Sequence, residues 1–272
     1  MENNMNVGII GYGSMGRMLL ERFAEAGKAE RLFVTNRTLE KIVEAPDEYT
    51  ILATNAEVAE CADILFVCVR FGDVKTVLED IKGHTRKGAL VVSLNGSIPF
   101  ELMEKVADCK YAVVIPSLTA EINRSETLVS FQKTVDDEAK TTLKDLLSVI
   151  GNVIEIPESE IAICSELVSC MPGFVASIFD VVCEQARKYS TLEQDKIVRM
   201  VLETLSATSD LMLKNDMTFE EVVERVATKG GITEVGSRVI YDEFPPVAEK
   251  MLAESLKKSE NMTKSAKDMF EK

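Results

Sequence analysis

The pattern that most restricts the fold of this chain is Gly11-x-Gly13-x-x-Gly16, inside "GIIGYGSMG". It follows the apolar run "NVGII" and opens a segment, Met15 to Ala26, whose apolar residues recur at helical spacing up to Gly27. Turning a strand into a helix over so few residues needs a tight reversal. A pyrophosphate held there also needs a close backbone and a helix packed hard against the strand. Glycine supplies all three. The first N–H groups of such a helix have no acceptor within it and attract an anion. The stretch is therefore predicted to hold a dinucleotide pyrophosphate on Gly11, Gly13, Ser14 and Met15. The competing reading is a glycine turn with no ligand.

The rest of the N-terminal half agrees with that start. "RLFVT", "ILFVCV" (Ile64–Val69), "ALVVSL" (Ala89–Leu94) and "YAVVI" (Tyr111–Ile115) are continuous β-branched runs of the kind covered on both faces. "TLVSF" and "NVIEI" read as later strands flanking a helix at about Asp136–Ile150. The alternation implies βαβ units and a mainly parallel, doubly wound sheet of Rossmann type. After Pro157 the strand signals stop. "TLEQ" at Thr191 and "TFEE" at Thr218 match capping boxes, and Ile197, Val198, Val201, Leu202 and Leu205 share a face. The expected division is a dinucleotide-binding domain at residues 1–157 and an all-helical domain at 158–272. The tail from Glu254 reads as a solvated helix. No internal repeat is evident.

The second strand ends in "FVTNRT". An Asp or Glu about 20 residues past the glycines binds a ribose 2′-hydroxyl. Asn36 stands there instead, with Arg37 after it. An acid would repel a 2′-phosphate, whereas Arg37 can pair with one and Asn36 and Thr38 can donate to it. The turn thus points to NADP rather than NAD, the bland reading being a helix N-cap at Thr38 beside a solvated Arg37.

Composition narrows the function classes. A net charge of −14 argues against nucleic acid and against an anionic membrane face. No signal peptide is evident, and the apolar stretch Ile161 to Cys183 is interrupted by Glu166, Pro172 and Asp180, so no transmembrane helix is expected. The six cysteines form no CxxC and read as free thiols in a reducing cytoplasm. The single histidine, His84, sits in the polar loop "KGHTRKG". That argues against a protein-bound zinc or other metal and against a Ser-His or Cys-His catalytic unit.

A second candidate site lies in "ATKGGITEVG". A helix ending at about Ala227, two glycines reversing the chain, and a helix starting at Thr233 would point several N–H groups at one place and add a hydroxyl. The alternative is an ordinary turn with Thr233 as N-cap.

These stretches, in order and over nearly the whole chain, resemble the pyrroline-5-carboxylate reductase family. "GYGSMG" resembles its glycine loop, "NRT" its NADP-selecting turn, "CVRFGDV" its strand ending in Ala-Val-Lys-Pro, and "VVIPSLTA" its Met-Pro-Asn-Thr-Pro-Ala segment. "VSCMPGFV" resembles its Gly-Ser-Gly-Pro-Ala-Tyr-Val helix, and "FEEVVERVATKGGITEVG" its helix running into Gly-Gly-x-Thr, with Gly230, Gly231 and Thr233 on the defining positions. The chain departs from the family at Arg70, Phe71, Ser117, Leu118, Met171, Lys229 and Ile232. "KGGIT" also resembles a competence-associated paralogue of the reductase in spore-forming bacteria.

The resemblance implies a Rossmann domain followed by a helical dimerisation domain in an interleaved homodimer. It implies NADPH-dependent reduction of 1-pyrroline-5-carboxylate to L-proline, with Val69, Arg70 and Asn95 along the ribose and nicotinamide and Gly230, Gly231 and Thr233 holding the imino acid. Such a reduction needs little acid–base machinery, because a protonated C=N carbon is already electrophilic and the cofactor brings the hydride. Two other functions stay open: reduction of a different imine or carbonyl substrate, and NADP-binding regulation without turnover.

Overall fold

The computed structural model describes residues 5–271 apart from Glu44 and Pro46. The described residues form two compact units. One runs to Pro172 and includes the chain from Leu256 onward; the other is Gly173–Ser255.

The first unit is built on an eight-stranded sheet. Its elements run β1 (Asn6–Ile10), α1 (Ser14–Ala26), β2 (Arg31–Thr35), β3 (Thr50–Ile51), α2 (Asn55–Cys61), β4 (Ile64–Val67), α3 (Val74–Ile81), β5 (Leu90–Ser93), α4 (Phe100–Val106), β6 (Lys110–Ile115), β7 (Ser125–Phe131), α5 (Asp137–Leu147) and β8 (Gly151–Glu155). The strand order is β3-β2-β1-β4-β5-β6-β7-β8. Every neighbouring pair is parallel except β6–β7. The expected doubly wound sheet is present, and the β-branched runs of β4, β5 and β6 are its central strands, buried except for Lys110 at the start of β6.

Because side chains alternate along a strand, the sheet carries a core on each face. Val7, Ile9 and Phe66 pack with Leu19, Leu20 and Phe23 of α1 and Leu143 and Leu146 of α5. Ile10, Leu65 and Val91 pack with Val58 of α2, Val77 and Leu78 of α3 and Met103 of α4. Gly8 shows how close the second layer lies: a Cβ there would stand 2.7 Å from Val58 Cγ1. Helix α1 ends as its composition demands, with Gly27 left-handed at φ 59° and its N–H on the Ala24 carbonyl.

The remaining elements are helical. α6 (Ile161–Ser165) passes through a π-helical turn, Glu166–Cys170, into α7 (Met171–Ala186). Pro172 explains the turn: it has no N–H to give, and its ring crowds the carbonyl four residues back, so the helix widens ahead of it. Glu166 is buried on this turn, and its Oε2 has no hydrogen-bond partner among the described residues. Burial and then the Glu166 carboxylate push the neighbouring Cys170 thiol above its ordinary value. Helices α8 (Gln194–Asn215), α9 (Phe219–Val226), α10 (Ile232–Glu243) and α11 (Pro245–Phe270) follow.

Two local expectations need correcting. The capping box at Thr218 forms, with Thr218 N–H on Glu221 Oε2 at 2.7 Å and Glu221 N–H on Thr218 Oγ1 at 3.2 Å. The one at Thr191 does not, because α8 starts at Gln194 with Glu193 as its N-cap. The tail is not simply solvated. Ala266 is fully buried and Phe270 packs with it on the α2–α3 side of the sheet, while Lys75 Nζ donates to the Met269 carbonyl at 3.2 Å. An Ala and a Phe one turn apart make a stripe too narrow to stand out in a Lys/Glu/Ser-rich segment. Among the described residues one helix, Glu158–Tyr189, is long and apolar enough to cross a membrane by length and composition alone.

Candidate active site

The strand order reverses between β1 and β4, and a cleft of about 620 Å³ opens there at the carboxyl ends of the strands. One wall is the glycine loop after β1, with Gly11, Tyr12 and Gly13. The second is the turn after β2, Asn36 to Leu39 with Lys41. The third is the end of β4 and start of α3, including Val69, Arg70 and Asp73.

The glycines act differently. Gly11 has φ 104°, and a Cβ would stand 2.6 Å from the Cys68 carbonyl oxygen. Gly16 lies inside α1, where a Cβ would stand 2.0 Å from the Gly11 oxygen; it sets the approach of helix to loop. Gly13 has nothing within 4 Å of its missing Cβ, which would project into open space beside the cleft. It is the N-cap of α1, no acid occupies the first turn, and the N–H groups of Ser14 and Met15 have no acceptor within the helix. Room at Gly13, free helix N–H groups and no acid in the first turn of α1 fit a pyrophosphate. Cys68, beneath the loop, has its thiol pushed above its ordinary value by burial, which favours the neutral thiol.

Of the residues expected here, Gly11, Gly13, Asn36, Arg37, Thr38, Val69 and Arg70 line this one cleft, while Ser14, Met15 and Asn95 stand outside its lining. Asn95, past the end of β5, donates from Nδ2 to the Val69 carbonyl at 3.1 Å and ties two loops at the strand ends together. Asn36 is occupied by structure: its Oδ1 accepts the Tyr12 N–H at 3.1 Å and its Nδ2 donates to the Thr38 carbonyl at 2.8 Å. It braces the glycine loop against the turn. Thr38 makes no side-chain cap for the short 3-10 turn Leu39–Lys41 that follows. Arg37 is 84% exposed at the cleft, its Nη1 lying 3.9 Å from Asp73 Oδ1.

Sequence reasoning missed several lining residues: Tyr12, Lys41, Thr54, Asn55, Asp73, Thr76 and Asp80. Thr54 and Asn55 follow the two-residue strand β3, too short to give a periodic signal. Asp73 was readable as a charge three residues past Arg70, but only the fold brings it to Arg37.

The second candidate site lies in the helical unit. Helix α9 ends at Val226, and Gly230 has φ 76°, which suits the third position of a turn closed by Gly231 N–H on the Thr228 carbonyl at 2.7 Å. Helix α10 starts at Ile232 with Gly231 as N-cap, so Thr233 lies in the first turn and is not the cap. Its hydroxyl has no hydrogen-bond partner among the described residues. The glycine N–H groups are engaged: Gly231 on Thr228, and Gly230 on Glu234 Oε2. What faces outward are the N–H groups of Ile232, Thr233 and Glu234, which have no acceptor within the helix. Among the departures from the expected family pattern, Ser117 is buried, its N–H donating to Ser125 Oγ at 3.0 Å, whereas Leu118 and Ile232 are exposed.

Comparison with known proteins places this geometry. Residues 6–96 match the family described as NADP oxidoreductase coenzyme F420-dependent, and residues 158–262 match pyrroline-5-carboxylate reductase dimerisation. Pyrroline-5-carboxylate reductase 3 of Bacillus subtilis is 31% identical over 262 residues, 94% of this chain and 96% of that protein. ComE operon protein 4 of the same organism is 25% identical, covering 98% of this chain and 99% of its own length. The fold is also that of the Plasmodium falciparum pyrroline carboxylate reductase solved with NADP bound, at TM-score 0.84 and 21% identity over 96% of this chain and 99% of the other. The Coxiella burnetii pyrroline-5-carboxylate reductase superposes with TM-score 0.85 at 21% identity, covering 97% and 99%. Likeness over almost the full length, with a glycine loop and cleft at the topological switch point, identifies the chain as a member of the pyrroline-5-carboxylate reductase family, nicotinamide-dependent oxidoreductases acting on a C=N bond.

Proposed function

We propose that this protein is an NADPH-dependent reductase of a cyclic imine, converting 1-pyrroline-5-carboxylate to L-proline. The observation that carries the reading is the presence, in one chain of this family, of the glycine cleft in the sheet unit and the Gly230-Gly231-x-Thr233 turn opening α10. Residues 1–157 serve as the cofactor domain and 158–272 as the dimerisation and substrate domain. Gly11, Gly13, Ser14 and Met15 hold the pyrophosphate. Arg37 and Thr38, with the remaining Nδ2 proton of Asn36, hold the 2′-phosphate. Val69, Arg70 and Asn95 line the path to the nicotinamide.

When bound, the cofactor supplies a hydride to the C=N carbon, and the π pair of that bond moves onto nitrogen. Thr233 donates its hydroxyl to the imino acid, and the N–H groups of Ile232, Thr233 and Glu234 receive its carboxylate. The protein's contribution is position and a held anion. No general acid is required if the imine arrives protonated. The assembly is a homodimer at least, and the free thiols suit a cytoplasmic setting.

One observation favours a second reading. Glu234 holds its carboxylate on the Gly230 N–H, next in the chain to the N–H groups that would receive an imino acid's carboxylate. That arrangement suits an imine without a carboxylate. Following NADPH oxidation with a panel of cyclic imines, with and without a carboxylate, separates the two. A protein inert to the whole panel while binding NADPH tightly overturns both. Cofactor choice is tested on Arg37→Ala. The variant is expected to weaken NADPH by about 1.5–3 kcal/mol, the range for a charged hydrogen bond, and to leave NADH nearly unchanged. Equal loss for both cofactors removes Arg37 from the 2′-phosphate site.

A further inference from the structure

The cleft that takes the cofactor carries an acid beside its phosphate-binding arginine. Asp73 ends the short 3-10 turn Phe71–Asp73 and stands at the N-terminus of α3, yet its carboxylate makes no capping hydrogen bond. An acid suits a helix N-terminus, but no backbone N–H of α3 holds this carboxylate. It lines the same cleft as Arg37, Thr38 and Arg70, with Oδ1 3.9 Å from Arg37 Nη1. Both side chains are exposed, so the pair is loose and worth little as an ion pair. An anion arriving at Arg37 can therefore take the guanidinium from Asp73 at small cost. It cannot escape the Asp73 charge. A phosphate paired with Arg37 stays in the same part of the cleft as the Asp73 carboxylate, inside the screening distance of roughly 8 Å at physiological salt.

We infer that Asp73 is a specificity-determining residue that lowers this protein's discrimination between NADPH and NADH, by repelling the 2′-phosphate that Arg37 attracts. The proposal rests on the reading of Arg37 as the 2′-phosphate ligand. A cofactor carrying a 2′-hydroxyl brings no charge to that place and is indifferent to Asp73. Arg37 alone would make the cleft strongly selective for the phosphate. With Asp73 beside it the selectivity is partial. The effect weakens as salt screens the exposed charges.

The test titrates the full-length protein with 2′,5′-ADP and 5′-AMP, which differ by the 2′-phosphate, for wild type, Asp73→Asn and Arg37→Ala. Asp73→Asn keeps size and shape and removes the charge. It is expected to tighten 2′,5′-ADP about three- to tenfold at low salt, to leave 5′-AMP within about twofold, and to lose part of the gain in 0.5 M salt. NADPH and NADH should follow the same split. Unchanged 2′,5′-ADP affinity, or equal tightening of both ligands, overturns the proposal while leaving the Arg37 assignment standing. Weaker 5′-AMP or NADH binding, with 2′,5′-ADP unchanged, also overturns it and makes Asp73 a ribose hydroxyl acceptor. If Arg37→Ala leaves 2′,5′-ADP untouched, the earlier reading of Arg37 fails and this one falls with it.

Discussion

At the scale of single residues, the candidate site divides into what a motif reveals and what only neighbours reveal. That Gly11, Gly13 and Arg37 belong to one cleft was legible because the backbone requirement of a tight turn and the charge expected of a phosphate site each name a residue type. The engagement of Asn36 was not legible, because its two hydrogen bonds reach Tyr12 and Thr38 through a fold-dependent contact. Nor was that of Glu234, a first-turn acid whose carboxylate turns back onto Gly230 N–H. The substrate turn can be tested at this scale. Thr233→Ala removes one positioned donor and keeps the helix N–H groups, so turnover on 1-pyrroline-5-carboxylate should fall about a hundredfold with NADPH affinity unchanged. Glu234→Gln removes a negative charge next to the carboxylate's place and should lower KM for the same substrate. Steady-state kinetics with cofactor titration checks both, and equal activity of Thr233→Ala and wild type would reduce the loop to a turn.

Secondary-structure elements were the most readable level, and their ends show why some boundaries failed. Thr-x-x-Glu at Thr218 closed a capping box, while the similar Thr-x-x-Gln at Thr191 did not, because chain entry to α8 passes Glu193 instead. Local chemistry offers a cap, and the path of the chain decides whether it is used. The box at Thr218 supports α9, a helix of only 8 residues, too short to be stable by propensity alone. Thr218→Ala should therefore cost about 1 kcal/mol, seen as a lower thermal midpoint. A loss under about 0.3 kcal/mol would show that packing, not capping, holds α9. The C-terminal helix is the opposite case. Its composition reads as solvated, yet Ala266 and Phe270 anchor it to the sheet unit, because two well-placed apolar residues suffice to fix one end of a long helix.

At the scale of the whole molecule, the helical unit leaves much apolar surface uncovered. Val181 and Val182 of α7, Leu202 and Leu211 of α8, and Val239, Ile240 and Tyr241 of α10 are all exposed in the single chain. Val181 and Val182 lie in Glu158–Tyr189, the helix apolar enough for a membrane by composition. Patches of this kind mark interfaces, and homo-oligomers bury them symmetrically. A second copy of this chain is the expected cover, in keeping with the match of residues 158–262 to a dimerisation domain. Light scattering at micromolar concentration should give at least a dimer, and Leu202→Glu should shift it toward monomer. A monomeric wild type would leave these faces unexplained and contradict the assembly reading.

By itself the sequence determined the layered sheet with its glycine loop, the change to helices after Pro157, and the class of cofactor. Each follows from periodicity or from a residue type that a local backbone geometry requires, and both are written in the order of the residues. Only the tertiary structure decided that Arg37 shares its cleft with Asp73, that Asn36 is spent on bracing the loop, and that the tail returns to the sheet. These depend on contacts between residues distant in sequence, formed when strands pair and helices pack, and a linear pattern does not encode which charges meet.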